Sequence, residues 1–192
     1  MLVEEKFILS LEKARQELDT ADHLAYMTYP LIRENRLLLK ILEKLYLSVL
    51  NAINAILQYE YMYKRITLYK DAKINLDTFG KIASRYHLNE EQLKKLMEII
   101  VLGEKHKKSP FEFAKNDKIV IMSDNMATET IEIPKEAFTK IICDMEVLIS
   151  DVEKILDRKV LQRRQDIESG KVKGKSEAEL DAYLKKRGVK LG

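Results

Sequence analysis

The stretch LLLKILEKLYLSVLNAINAILQYEYMY, residues 37–63, sets the terms for any fold this chain can adopt. Leu, Ile, Val and Ala run through it almost continuously, while Lys44, Ser48, Asn51, Asn54 and Gln58 recur at helical spacing as one narrow polar stripe. A helix that is apolar on most of its circumference has to be covered by other elements. It is too short on apolar residues for a membrane span. Between Glu43 and Glu60 lie Lys44 and then 15 uncharged positions, among them Ser48, Asn51, Asn54 and Gln58, whereas a span needs about 20 predominantly apolar residues. The segment reads as the central helix of a bundle, over about 34–69. Its stripe fits either a thin solvent-facing edge or a buried hydrogen-bonded seam, since buried amides need partners.

Other segments supply the cover. Phe7, Leu11, Ala14, Leu18 and Ala21 recur every three or four residues and predict a first helix over about 2–25. Pro30 removes a backbone donor and disfavours a helical Tyr29, so the chain is expected to break or bend there. A third helix is predicted over 74–86. Asn89, with Gln92 three residues on, marks the N-terminus of a fourth that runs to about residue 105, with Leu93, Leu96, Met97, Ile100 and Val101 as its apolar stripe. Pro134 suits the first turn of a long last helix whose Phe138, Ile142, Met145, Ile149, Val152 and Leu156 keep a seven-residue rhythm, as a bundle seam or a homodimer seam would. Between these, residues 119–122 are apolar and branched, 123–125 are turn formers and 128–133 alternate, a β-hairpin over about 118–133. The expected fold is mostly α: an antiparallel helical bundle with one small β-hairpin and a basic C-terminal tail ending in a short helix.

The charge divides the chain in the same place as the hydropathy. Of 34 Lys and Arg and 31 Asp and Glu, eleven and five lie from residue 158 onward, so this end carries +6 and the remainder −3. The expected domains are a bundle, 1–165, and a basic tail, 166–192. Gly170 and Gly174 frame a polar link, and Ser176 with Glu179 opens a helix too short to stand alone. Leu180, Tyr183 and Leu184 are its docking residues. Arg163, Arg164, Lys171, Lys173, Lys185, Lys186 and Arg187 are the cations offered to a protein or RNA partner.

No catalytic, cofactor or metal site is read from the sequence. His23, His87, His106 and Cys143 show no paired ligand spacing, and Thr20, Ser84 and Gly103 stand where a Glu-x-x-His di-iron pattern needs glutamates. The six glycines form no phosphate loop. Cys143, in TKIICDMEVLI, reads as a small buried hydrophobe, and a single cysteine with no leader segment points to a reducing cytoplasm. The tyrosine-rich QYEYMYKRITLYK, residues 58–70, splits by face if the helix continues through it. Tyr59, Met62, Tyr63 and Ile66 extend the core, while Tyr61, Lys64 and Arg65 form a rim where a ring beside two cations suits a nucleic-acid base and phosphate.

FILSLEKARQELDTADHLAY followed by LLLKILEKLYLSVLNAINAILQYEYMYKR resembles the HEPN group of antiparallel helical bundles, and archaeal helical proteins of that general texture, over about the first half of the chain. The resemblance implies a bundle, often paired as a dimer, serving in binding or regulation. Ribonucleases of that group carry an Arg and a His separated by four to six residues. Here Arg15 and His23 have seven between them and Arg85 and His87 one, so that motif is not matched. The functional expectation is a non-enzymatic helical binding or regulatory protein with the basic tail as a contact; an RNA-binding or RNA-cleaving module and a dimeric, antitoxin-like scaffold are the alternatives.

Overall fold

The computed structural model describes residues 3–34, 36–109, 112–115, 118–121 and 135–168. In chain order these form α1 (Val3–His23), a π-helical turn (Leu24–Thr28), α2 (Tyr29–Ile32), α3 (Arg36–Met62), α4 (Ala72–Ile82), a 3-10 turn (Ala83–Tyr86), α5 (Glu90–Lys108), β1 (Glu112–Lys115), β2 (Lys118–Ile121) and α6 (Lys135–Glu168). The protein is mostly helical. No helix among the described residues is long and apolar enough to cross a membrane.

The antiparallel pair α1–α3 is the heart of the fold. Phe7 meets Tyr59 edge-on at 5.5 Å, Ser48 donates to the Ala14 carbonyl at 2.8 Å, and Lys44 reaches Glu17 at 2.7 Å, so residue numbers fall along α1 as they rise along α3. Small residues at the crossing, Ala14 on one side and Ser48, Ala52 and Ala55 on the other, are all but inaccessible and let the backbones approach. The apolar face anticipated on α1, from Phe7 to Ala21, is buried throughout. The polar stripe of α3 is split: Lys44 and Ser48 bond across to α1, Asn51 bonds back to the Leu47 carbonyl, and Asn54 faces solvent. Leu45, Ile53 and Ile56 are buried as their spacing requires, whereas Leu50 is only partly so.

The central helix starts close to where the sequence places it, at Arg36 against about residue 34, but its far end and the chain at Pro30 depart from the sequence reading, and for backbone reasons. Pro30 does not break the first helix. The Tyr29 N–H bonds to the Leu24 carbonyl, five residues back, and Tyr29 itself stays helical at φ −61°, ψ −43°. Widening the ladder by one residue just before the proline accommodates its ring and its missing donor. The reversal comes three residues later, at Arg33, which is left-handed at φ 54° with its N–H on the Tyr29 carbonyl at 2.8 Å. At the other end α3 stops at Met62, not near residue 69, because Lys64 turns left-handed at φ 56°.

α5 begins with a capping box: Asn89 accepts from the Gln92 N–H at 2.8 Å and Gln92 accepts from the Asn89 N–H at 3.1 Å. Its buried residues are Leu96, Ile99, Ile100 and Gly103; Val101, expected in the apolar stripe, is half exposed, and Ile99 takes its place. Gly103 is packed so closely on the Tyr46 ring that a Cβ there would collide with it, and Lys107 lies over the same ring at 4.4 Å. Packing divides the chain after Val152. In the first unit α6 buries Phe138, Ile142, Met145, Ile149 and Val152, with Ile141 and Leu148 alongside, and pairs Asp144 with Lys95 of α5 at 3.7 Å. Cys143 is exposed, correcting the buried reading: it falls between the buried positions Ile142 and Met145 on the outer side of α6. Of the second unit the structure describes the remainder of α6, which continues to Glu168.

Residues 118–121 are extended, but the partner of β2 is β1, with Lys115 opposite Lys118 and Glu112 opposite Ile121. Ile121 is buried. The strand anticipated at 128–133 and the tail helix lie outside the described residues.

Candidate functional site

The shorter α3 rearranges the tyrosine-rich segment. With Lys64 left-handed, the Lys64 N–H bonds to the Tyr61 carbonyl at 2.9 Å and the Arg65 N–H to the Glu60 carbonyl at 3.0 Å, the paired bonds of a Schellman cap. Glycine is the usual residue there, since a Cβ in this conformation costs about 1–2 kcal/mol. Side chains offset that cost. Arg65, folded back by the cap, places Nε and Nη2 on the two Glu60 carboxylate oxygens at 2.7 and 2.8 Å. Its guanidinium also lies over the Tyr59 and Tyr63 rings, 5.2 and 4.9 Å from their centroids.

Glu60 is 2% exposed and gathers a second helix end as well. The Tyr86 hydroxyl donates to it at 2.8 Å and Arg85 Nη1 at 3.1 Å. These residues close the 3-10 turn, which ends as α3 does: His87 is left-handed at φ 59°, its N–H on the Ser84 carbonyl and the Leu88 N–H on the Ala83 carbonyl. Burial is the largest single influence on the Glu60 carboxyl and pushes it up, but the hydrogen bonds from Arg65 and Tyr86 and the charges of Arg65 and Arg85 together outweigh it. Its pKa therefore lies below the usual carboxylate range. Burial raises the Tyr86 hydroxyl, as does the carboxylate it serves, and Tyr59 is pushed up to about 12, chiefly by burial and then by Tyr63. The ionised carboxylate accepts four hydrogen bonds and the phenols beside it keep their protons, so the cluster works as a clamp between two helix ends.

Of the rim residues read from the sequence, Tyr61 is 47% exposed and Lys64 is exposed at the cap, whereas Arg65 is committed to Glu60 and the two rings. Sequence reasoning passed over Glu60 and Arg85. The signal available was a lone glutamate five residues before an arginine, at a spacing a continuous helix does not bring together. Arg163 and Arg164 fall on α6, and Lys171, Lys173, Leu180, Tyr183, Leu184, Lys185, Lys186 and Arg187 lie outside the described residues.

The opposite end of the α1–α3 hairpin has a different character. Tyr26, Met27, Leu31 and Ile32, on the π-helical turn and α2, are 48%, 59%, 82% and 60% exposed. Tyr26 stands beside Cys143 of α6, and burial together with that thiol raises its hydroxyl. Next to this ledge, Glu12, Arg15, Gln16, Asp19, Thr20, His23 and Leu24 line an open groove of about 560 Å³, with charges of both signs and His23 Nδ1 3.3 Å from Thr28 Oγ1. Arg15 and His23 thus border one groove despite their long separation. No group of three or more His, Cys, Asp or Glu arranged to hold a metal occurs among the described residues. Comparison with known proteins gives no matching family model and no matching curated relative.

Proposed function

We propose that the protein is a non-enzymatic helical binding protein that engages a macromolecular partner, with the basic segment 166–192 as one of its contacts. The observation that carries this reading is the apolar ledge. Four large apolar side chains, Tyr26, Met27, Leu31 and Ile32, stand exposed within seven residues, the densest such group among the described residues. Exposed apolar side chains are ordinary one at a time, but a contiguous group marks an interaction surface. The π-helical turn supports the same reading, since such turns concentrate at functional sites. The cluster on Glu60, by contrast, is satisfied within the chain.

The test is capture from native lysate by the full chain, by Met27→Asp/Leu31→Asp and by a chain ending at Gln165, each with and without nuclease treatment. The full chain is expected to retain a partner that the ledge variant loses and the truncated chain holds less well. Identical capture by all three would overturn the reading. If the ledge variant instead converts a dimer to a monomer in sedimentation, the partner is a second copy of this chain.

A further inference from the structure

We propose that the α3–α4 elbow is a binding surface for single-stranded nucleic acid, formed by Tyr61, Lys64, Tyr69, Lys70, Lys73 and Lys81. This goes beyond the ledge reading and does not rest on it, since the two surfaces lie at opposite ends of the hairpin. The first observation is charge. Residues 61–88 carry six Lys and Arg against two Asp, net +4, in a chain whose first 157 residues sum to −3. All six cations are exposed. The four lysines have no ion pair among the described residues, and Arg85, 56% exposed, spends only Nη1 on Glu60. Of the two acids, Asp71 is turned to the start of α4, where it accepts from the Lys73 N–H at 2.8 Å.

The second observation is that exposed aromatic rings stand among these charges on a fixed backbone. Tyr61 and Tyr69 are 47% and 52% exposed. Asn75 bonds both polar groups of the Tyr69 backbone, accepting from its N–H at 2.9 Å and donating to its carbonyl at 2.8 Å. The elbow is held again where Arg65 and Arg85 converge on the same Glu60 oxygen, at 2.7 and 3.1 Å. Exposed rings on a fixed backbone beside unpaired lysines match the chemistry of unstacked bases on a phosphate chain, because every base has a face to stack and the backbone asks only for positive charge. A duplex hides its base faces, so single strands are the fitting partner.

The experiment is anisotropy of a fluorescein-labelled oligouridylate of 12 nucleotides with the full chain, repeated from 50 to 200 mM salt. A duplex of equal length, an acidic peptide and phosphatidylserine vesicles are the competitors. The single strand is expected to bind more tightly than the duplex and to displace the other two. Changing Lys64, Lys70, Lys73 and Lys81 together to Gln should weaken binding at least tenfold and flatten the log–log salt slope by roughly 3, at about 0.7 per lost phosphate contact. Tyr61→Ala/Tyr69→Ala should weaken it by about thirtyfold or more with the slope unchanged, the mark of two lost stacking contacts. Gln at Lys171, Lys173, Lys185, Lys186 and Arg187 separates the tail's charges from the elbow's, and Val101→Ser, at a half-exposed position of α5 that belongs to neither surface, serves as the control expected to bind as the parent does. The proposal is overturned if the probe is not bound, if both elbow variants bind like the parent while the tail variant does not, or if duplex or vesicles compete equally and the tyrosines make no difference. Unchanged helical circular dichroism in each variant keeps misfolding from imitating the expected losses.

Discussion

At one end of α3 the chain reverses through Arg33, left-handed at φ 54°, and leaves Tyr26, Met27, Leu31 and Ile32 in solvent; at the other it reverses through Lys64, at φ 56°, and ties the turn down with Arg65 on Glu60. The two turns use the same backbone conformation and lie at opposite ends of 27 helical residues, about 40 Å apart. The basic end spends its polar groups on rigidity: one buried carboxylate receives four donors from two helix ends. The apolar end has no such clamp among the described residues. It widens by a π-helical turn and carries a far more exposed aliphatic side chain, Leu31 at 82%. The difference teaches that where a hairpin closes does not fix what its end presents. The side chains flanking the left-handed residue decide that.

The largest test of this contrast is Glu60→Ala. The substitution strands a guanidinium packed on Tyr59 and Tyr63 and removes the acceptor of the buried Tyr86 hydroxyl. Breaking a buried pair on one side typically costs about 3–5 kcal/mol, roughly 10 °C in melting temperature for a chain of this size. Arg85→Gln should cost under about 1 kcal/mol, because Arg85 is mostly in water and a solvated pair is worth little. Equal effects from the two would mean that the clamp is a surface ion pair. The pH dependence has a definite sign. A carboxyl with a depressed folded pKa contributes stability that is present above its unfolded value, about 4.3, and is lost as pH falls through the folded value. The difference in stability between the parent and Glu60→Gln should therefore be full at pH 7 and shrink steadily below about pH 4.

A smaller pair of substitutions compares packing in the two halves through their helical glycines. Gly103→Ala, against Tyr46 near the ledge end of α3, drives a methyl group into a buried ring; overpacking of this kind costs about 1–3 kcal/mol, more than the gain of about 1 kcal/mol from better helix propensity. Gly80→Ala, in α4 at the basic end, meets nothing within 4 Å and should stabilise by roughly 0.5–1 kcal/mol. Chemical denaturation of both variants checks the pair. Stabilisation by Gly103→Ala would show that Tyr46 has room to move.

The bundle was legible in the sequence because its cause is local and periodic. The buried runs Phe7, Leu11, Ala14, Leu18 and Phe138, Ile142, Met145, Ile149 are the residues their spacing marks. The capping box at Asn89 was legible for the same reason, as two side chains three residues apart satisfy each other. The clamp was not. Reading residues 58–70 as unbroken helix put Arg65 on the rim with Tyr61, because nothing in the local pattern announces a left-handed lysine. That conformation is stabilised by Glu60, and Glu60 is completed by Arg85 and Tyr86, 25 and 26 residues further on. Pro30 misled in the opposite direction: its usual penalty assumes a regular ladder, and a one-residue π widening removes the conflict. Cys143 was misplaced because the apolar run around it hides a helical face whose outer side reaches solvent beside Tyr26.

The smallest expected effect on stability is the one that most sharpens the contrast between the ends. Leu31 is 82% exposed, on α2 just before the reversal at Arg33, and it contributes almost nothing to the packed interior. Leu31→Asp should therefore change unfolding free energy by less than about 0.5 kcal/mol, as surface substitutions away from caps and clamps do. A like change at Ile53, 2% exposed in the middle of α3, buries an unpaired charge and should cost several-fold more than that, about 3 kcal/mol or above. The two variants measured together by urea denaturation separate a side chain the fold needs from one it leaves to solvent. If Leu31→Asp destabilises the isolated protein by as much as about 2 kcal/mol, the ledge is packed against the chain's own residues, and its claim to be an interaction surface fails with that number.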